Sequence, residues 1–345
     1  MAYTTIKKPT DYFNTSLWSG NSSTQTITGV GFQPDLVWLK QRSSTQAYAL
    51  YDAIRGVTKY IASNTDGAEG TQAQGLTAFN SDGYALGTDE MNNASGQTYV
   101  GWNWKAGTTS GITTNGSTTI TPTAYSFNAT AGFSIIKYTG NGTTGAKYPH
   151  GLGVAPKMVI VKCLDSASVW WNVYHNSIGS NSELYLNDTS AAPGSTGNGT
   201  TPDAVNIELE GTSTTHNGNG SNYIAYCFAE KTGFSKCNKY IGNGSTDGTF
   251  VYTGFKPAFV LIKLSSATAD WQIFDNKREG YNDANDALYP NLNNAEGSTA
   301  RIQLLSNGFK LIDNNNWGWN KSGETYIYYA VAEEPLVGDN PATAR

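Results

Sequence analysis

Three stretches decide the reading: Gly31-Phe-Gln-Pro-Asp-Leu-Val-Trp-Leu-Lys40, Gly153-Val-Ala-Pro-Lys-Met-Val-Ile-Val-Lys162 and Gly254-Phe-Lys-Pro-Ala-Phe-Val-Leu-Ile-Lys263. Each is a Gly-x-x-Pro turn feeding four apolar residues and closing on a lysine. Proline cannot donate to a strand ladder, so it belongs just before or at a strand's start. A run of four apolar residues predicts a strand covered on both faces or central to its sheet. A pattern written three times in one chain is an internal repeat, and it fixes the architecture before any local propensity does.

Other landmarks repeat around these stretches. Upstream, Trp18-Ser-Gly-Asn21, Tyr138-Thr-Gly-Asn141 and Tyr240-Ile-Gly-Asn243 each close a strand with a Gly-Asn turn. Downstream, Gly96-Gln-Thr-Tyr-Val-Gly-Trp102, Gly220-Ser-Asn-Tyr-Ile-Ala-Tyr226 and Gly323-Glu-Thr-Tyr-Ile-Tyr-Tyr329 put an aromatic-rich strand after a glycine turn. Weaker matches fill the interval: 49–52, 171–175 and 271–275, then 59–62, 183–186 and 287–290. A sixth strand is expected at 76–79, 205–209 and 302–305. In the first and third copies it runs through a turn at Ser81 or Ser306 into a seventh. Short strands at this density predict an all-β chain of three tandem antiparallel β-sandwich repeats, jelly-roll-like in character. The expected boundaries are an N-terminal arm at 1–10, repeats at 11–105, 125–230 and 231–334, a Gly/Thr/Ser linker at 106–124, and a tail at 335–345. The second and third repeats abut around residues 231–233 and are expected to pack rigidly.

Composition agrees. Gly numbers 38 and Tyr 21 among 345 residues, and charged residues are only 14%. Turn formers with aromatic and β-branched residues give many strands and many loops, and 38% hydrophobic content can fill a core. The net charge of −5 and the lack of any Lys/Arg run argue against a nucleic-acid partner. No apolar stretch is long enough for a membrane helix, and residues 1–10 carry no apolar core of a secretory signal. Cys163, Cys227 and Cys237 lack C-x-x-C spacing, and the first two lie in apolar runs, so buried inert thiols are expected. Synthesis in a reducing cytoplasm follows.

Nothing in the chain reads as an enzyme's active site. His150, His175 and His216 show no zinc-binding spacing, and a surface role is expected for His150, which precedes a glycine turn. No nucleophile elbow or phosphate loop appears. Glu208 and Glu210 read as a solvated strand face rather than a glycosidase pair. The Asn282–Asp286 run lacks the spacing of a calcium loop and reads as a polar turn. No cofactor or metal is expected.

Aromatic residues carry the remaining functional signal. Trp102 and Trp104 share one face of the closing strand, where core packing explains them better. Trp317 and Trp319, set among Asn314, Asn315, Asn316 and Asn320, suit either core packing or a stacking platform with Asn315 and Asn316 bonding a glycan or protein. For these two both readings stay open.

The residues 31–40, Arg55-Gly-Val-Thr-Lys-Tyr60, Ser81-Asp-Gly-Tyr84, Ser95-Gly-Gln-Thr-Tyr-Val-Gly-Trp-Asn-Trp-Lys105, Tyr223 to Glu230 and Tyr326 to Glu333 together resemble a repeat-domain family of structural proteins of marine tailed bacteriophages. The likeness covers most of the chain and rests on fold-forming residues. It implies a protein of the virion surface, made in the host cytoplasm, with other virion proteins as partners and a homo-oligomeric assembly. The polar ends (residues 1–10 and those after Pro335) are expected to contact partner chains, since such ends stay disordered unless tied down. Three roles follow: a tail-fibre or spike adhesin binding a host-surface glycan or receptor, a ligand-free capsid-decoration or tail-assembly protein, and a glycan depolymerase as the weakest.

Overall fold

The computed structural model describes residues 4–194, 196–278, 286–297, 299–313, 318–339 and 341–343. Its strands pair antiparallel throughout the described residues, in sheets that fall into three pairs. The first pair is built from β1 (Phe13–Ser19), β2 (Gln25–Ile27), β3 (Leu36–Gln41), β4 (Ala49–Asp52), β5 (Lys59–Tyr60), β6 (Gly70–Thr71), β7 (Leu76–Asn80), β8 (Gly83–Leu86) and, after a one-turn helix α1 (Glu90–Asn93), β9 (Thr98–Trp104). Its large sheet runs β1-β9-β3-β4 and its small one β2-β8-β7, with β5-β6 as a separate ribbon.

The second pair comprises β10 (Ala124–Asn128), β11 (Phe133–Thr139), β12 (Ala146–Pro149), β13 (Met158–Cys163), β14 (Asn172–His175), β15 (Leu184–Tyr185), β16 (Thr200–Pro202), β17 (Asn206–Leu209) and β18 (Asn222–Phe228). The third comprises β19 (Ser235–Ile241), β20 (Phe250–Tyr252), β21 (Phe255–Leu264), β22 (Trp271–Asp275), β23 (Ile302–Leu305), β24 (Gly308–Leu311) and β25 (Thr325–Pro335). Strand order recurs: β11-β18-β13-β14 and β19-β25-β21-β22 repeat β1-β9-β3-β4, while β12-β17-β16 and β20-β24-β23 repeat β2-β8-β7. The second large sheet gains β10 and β15 at its two edges.

The apolar quartet after each proline explains this layering. Successive strand residues point to opposite faces. In β3, Val37 and Leu39 pack on Tyr84 and Leu86 of the small sheet. Leu36 and Trp38 face the other way, into a core shared by all three pairs. At its centre Trp104 meets Phe13 (4.9 Å between ring centroids), Phe259 (5.4 Å), Phe228 (6.1 Å) and Phe133 (6.3 Å). Each large sheet is therefore buried on both faces, as the continuous apolar run requires. Trp102 and Trp104 are core residues. Cys163, Cys227 and Cys237 are buried free thiols.

One corner is built three times from the upstream and downstream landmarks. Trp18 stacks on Tyr99 (5.3 Å), Tyr138 on Tyr223 (5.2 Å) and Tyr240 on Tyr326 (4.9 Å). The tyrosine hydroxyls accept the backbone N–H of Ala94, Gly218 and Lys321. Buried Asn93, Asn217 and Asn320 accept the N–H of Asn21, Asn141 and Asn243. The glycine of each Gly-Asn turn lies against that loop: a Cβ on Gly20, Gly140 or Gly242 would stand 2.1, 2.5 or 2.3 Å from a backbone oxygen. Asn217→Ala removes the acceptor for Asn141 and the donor to Thr143 O and Gly211 O. A loss of about 1–3 kcal/mol is expected in urea unfolding.

Three sequence expectations need correction. Residues 205–209 belong with the seventh strand: β17 stands in the place of β8 and β24, and the sixth place is taken by β16. The Asp203 carboxylate holds Val205 N and Asn206 N there, so the turn precedes the apolar stretch rather than following it. His150 is buried, not on the surface, because both ring nitrogens serve the backbone: Nδ1 accepts from Leu152 N, and Nε2 meets Asp203 O. Residues 106–124 contain no strand before Ala124 but lie along the second pair. Thr119 and Ile120 both donate to Lys147 O, and Ile120 enters that pair's core.

Candidate functional site

The repeated polar residues converge on the seams between sheet pairs. Lys40 Nζ donates to Gln46 O (2.8 Å) and across to Asn293 O of the third pair (3.2 Å). Lys162 donates to Val169 O (2.5 Å) and Asp66 O of the first (2.9 Å). Lys263 donates to Leu264 O (2.8 Å) and Thr189 O of the second (3.0 Å). First reaches third, second reaches first, third reaches second, so the contacts close a ring. Burial pushes all three ammonium groups down to about 8.

A second polar layer follows the same circuit. Asp52 Oδ2 accepts from Arg55 Nε (2.5 Å) and from Tyr226 OH of the second pair (2.8 Å). Asp275 Oδ2 accepts from Arg278 Nε (2.6 Å) and from Trp102 Nε1 of the first (3.0 Å). Glu69 and Glu296 complete these clusters, each pairing with its arginine. In the second pair His175 stands where the aspartates do, and its Nε2 meets Tyr328 O of the third (3.1 Å). Trp171 Nε1 reaches Ala62 O (3.0 Å) and Trp271 Nε1 reaches Tyr185 O (2.8 Å). Each of these groups is bonded inside the seam. Their chemistry is that of a lock between units.

The sequence-predicted platform fares differently. Trp317, Asn315 and Asn316 lie outside the described residues, as do all but Asp286 of the Asn282–Asp286 run. Trp319 is buried, its ring covered by the Arg301 guanidinium 3.8 Å from the ring centroid, and its carbonyl accepts from Tyr240 OH (2.7 Å). Asn320 is the corner asparagine described above. Trp319 thus serves the core and offers no open stacking face. Glu208 pairs with Lys147 (2.8 Å) on the strand surface, and Glu210 bonds Thr201. Among the described residues no three His, Cys, Asp or Glu side chains gather as a metal site would require.

Among the exposed aromatics that sequence reading passed over, with Phe250 and Tyr252, is Trp170. It is 42% exposed and meets Tyr185 edge to face, with centroids 4.8 Å apart. Tyr185 OH donates to Glu183 Oε1 (2.7 Å), and Asn172 Nδ2 donates to the other carboxylate oxygen. Burial raises the Glu183 pKa above the usual carboxylate range. The signal lay in a break of the repeat: the neighbours of the buried Trp171 and Trp271 differ, with Trp170 in the second copy and Asp270 in the third.

No curated protein and no solved structure matches the chain. A family model described as a domain of unknown function (DUF7483) matches residues 8–335 and so spans all three sheet pairs. The chain belongs to that family.

Proposed function

We propose that this protein is a structural component of a tailed-phage virion surface, of the tail-fibre or spike type, acting in host attachment. The phage context comes from the resemblance of the repeated landmarks. The observation that carries the role is the ring of seams. Lys40, Lys162 and Lys263, with the aspartate and histidine layer, tie the three sheet pairs to one aromatic core. Such a body is stiff and holds its surface loops in fixed relation. Weak contacts made by those loops would gain strength when several copies sit on one particle. We read the three sheet pairs as tandem jelly-roll-like repeats, a reading supported by the recurring strand order.

A ligand-free decoration or tail-assembly role is the second reading, favoured by residues 7–10 lying beside residues 333–339. Lys7 and Asp339 come within 3.8 Å beside Lys8, Glu333 and Glu334, around a cavity of about 260 Å³. That arrangement gives the body one end by which to dock. Immunogold labelling of intact virions with an antibody to this chain separates the two. Label at tail or fibre tips supports attachment; label spread over the head removes it and leaves decoration.

A further inference from the structure

In the second sheet pair the chain straps two of its own strand edges. Thr119 and Ile120 both donate to Lys147 O on β12, and Thr119 Oγ1 accepts from Lys147 N (2.7 Å). The same segment then runs on as β10 along the outer edge of β11, with Ala124 opposite Lys137.

The third pair has the matching edges, β19 and β20, and no strand lies on either of them among the described residues. The two are tied at one end by Thr249 Oγ1 donating to Ile241 O (2.8 Å) and at the other by Lys236 Nζ donating to Tyr252 O (3.1 Å). By register, Phe250 opposite Lys310 takes the place of Lys147 opposite Glu208. Lys239 opposite Ile327 takes the place of Lys137 opposite Ile224. Alternate residues of an antiparallel ladder turn both backbone polar groups away from the partner strand. The N–H and C=O of Phe250 and the C=O of Lys239 therefore point outward, and among the described residues nothing bonds them. The side chains beside them are apolar: Ile241, Phe250 and Tyr252 are 61%, 45% and 50% exposed. In the first pair, where β1 and β2 are likewise sheet edges, Thr26 and Thr28 stand at the two β20 positions and meet water with hydroxyls.

We propose that the edges of β19 and β20 are a docking site for an extended segment of a partner chain, added along β19 as β10 is added along β11. The copy that is filled gives the chemistry of the occupant. Residues 119–128 are uncharged, rich in Thr, and aromatic at the alternate positions Tyr125 and Phe127. Such a segment offers main-chain groups to Lys239 and Phe250 and covers Ile241, Phe250 and Tyr252 with its side chains. A carboxylate at the position of Ala124 would stand opposite Lys239, whose ammonium has no ion pair among the described residues. A second copy pairing β19 with β19 fits less well, because it brings Lys236 and Lys239 of both copies together. The site goes beyond the attachment reading and stands whichever role the virion location supports.

Fluorescence anisotropy of a labelled peptide of residues 108–128, added to the full chain, tests this. Saturable one-to-one binding is expected. The double variant Phe250→Thr with Tyr252→Thr gives the third pair the side chains of the first. It should weaken binding at least about tenfold with an unchanged thermal midpoint, since both rings are exposed. Ile241→Lys, at a still more exposed position, is the independent second variant and should also weaken it. Ala124→Glu in the peptide should tighten binding, and added salt should remove that gain. No saturable binding overturns the site. So does binding undiminished in both chain variants, which would put the peptide elsewhere, for instance on the second pair in exchange for the resident strap. Self-association of the chain in sedimentation, lost in the double variant, would make the occupant a second copy and overturn the partner assigned here.

Discussion

Asp275→Ala should destabilise the chain by about 3–5 kcal/mol, because it leaves a buried arginine short of its counter-ion. Arg278 is 2% exposed at its side chain and donates Nε to Asp275 Oδ2 at 2.6 Å. The same carboxylate receives Lys277 N and Arg278 N, so it also folds the turn after β22. From across the seam Trp102 Nε1 donates to it, and that indole has no other use for its N–H. Glu296 remains beside Arg278 in the variant, which keeps the loss below that of an isolated charge. The loss should appear in guanidinium unfolding as a lower midpoint with an unchanged slope. The double variant Asp275→Asn with Arg278→Met should recover much of it, since both charges leave together. A double variant as unstable as Asp275→Ala would contradict the assignment.

Acidification should unfold the protein well above the pH at which carboxylates titrate. His150, His175 and His216 are buried, and desolvation lowers each to about 4 from an ordinary 6.5. For His150 and His175 desolvation outweighs the bond from Nε2 to Asp203 O or Tyr328 O, which favours the charged ring. Nδ1 accepts a backbone N–H from Leu152 and from Ser177 respectively, so the proton sits on Nε2 and a second proton would break a bond. A folded-state pKa below the unfolded one means stability is complete above pH 6.5 and is lost as pH falls from 6.5 to 4. At about 1.4 kcal/mol per pH unit, each histidine could cost up to about 3 kcal/mol by pH 4. Thermal midpoints from pH 7.5 to 4 should fall steeply within that window. A flat profile down to pH 4.5 would refute it. His175→Gln should flatten the profile by about one third, since it removes one of three similar contributions.

The strand after each Gly-x-x-Pro turn was legible because its chemistry is local: a proline that cannot donate, then four apolar residues with nowhere to expose them. The burial of Leu36 and Val37 on opposite faces was implied by the same run. The partner of the lysine that ends it was not. Lys40 and Asn293 are neighbours only once the chain has closed, and no spacing in the sequence encodes which unit follows which around a ring. His150 misled because a histidine before a glycine turn looks exposed, whereas the turn here is folded inward onto Asp203 O. Trp319 carried two readings, core packing and an open platform, and the Arg301 cover decides for the core. Trp170 went unread for the opposite reason. It sits one residue before the repeated stretch 171–175 and belongs to no landmark, and of the two neighbours only Trp171 turns inward.

The closed circuit of lysines and aspartates has a consequence in mass action. Three sheet pairs that each touch both of the others resemble a trimer, yet one chain carries all three. A trimer of separate chains comes apart on dilution, since its stability depends on protomer concentration. Here each unit meets the next at a concentration fixed by the connecting chain. The melting temperature should therefore be the same at nanomolar as at micromolar protein.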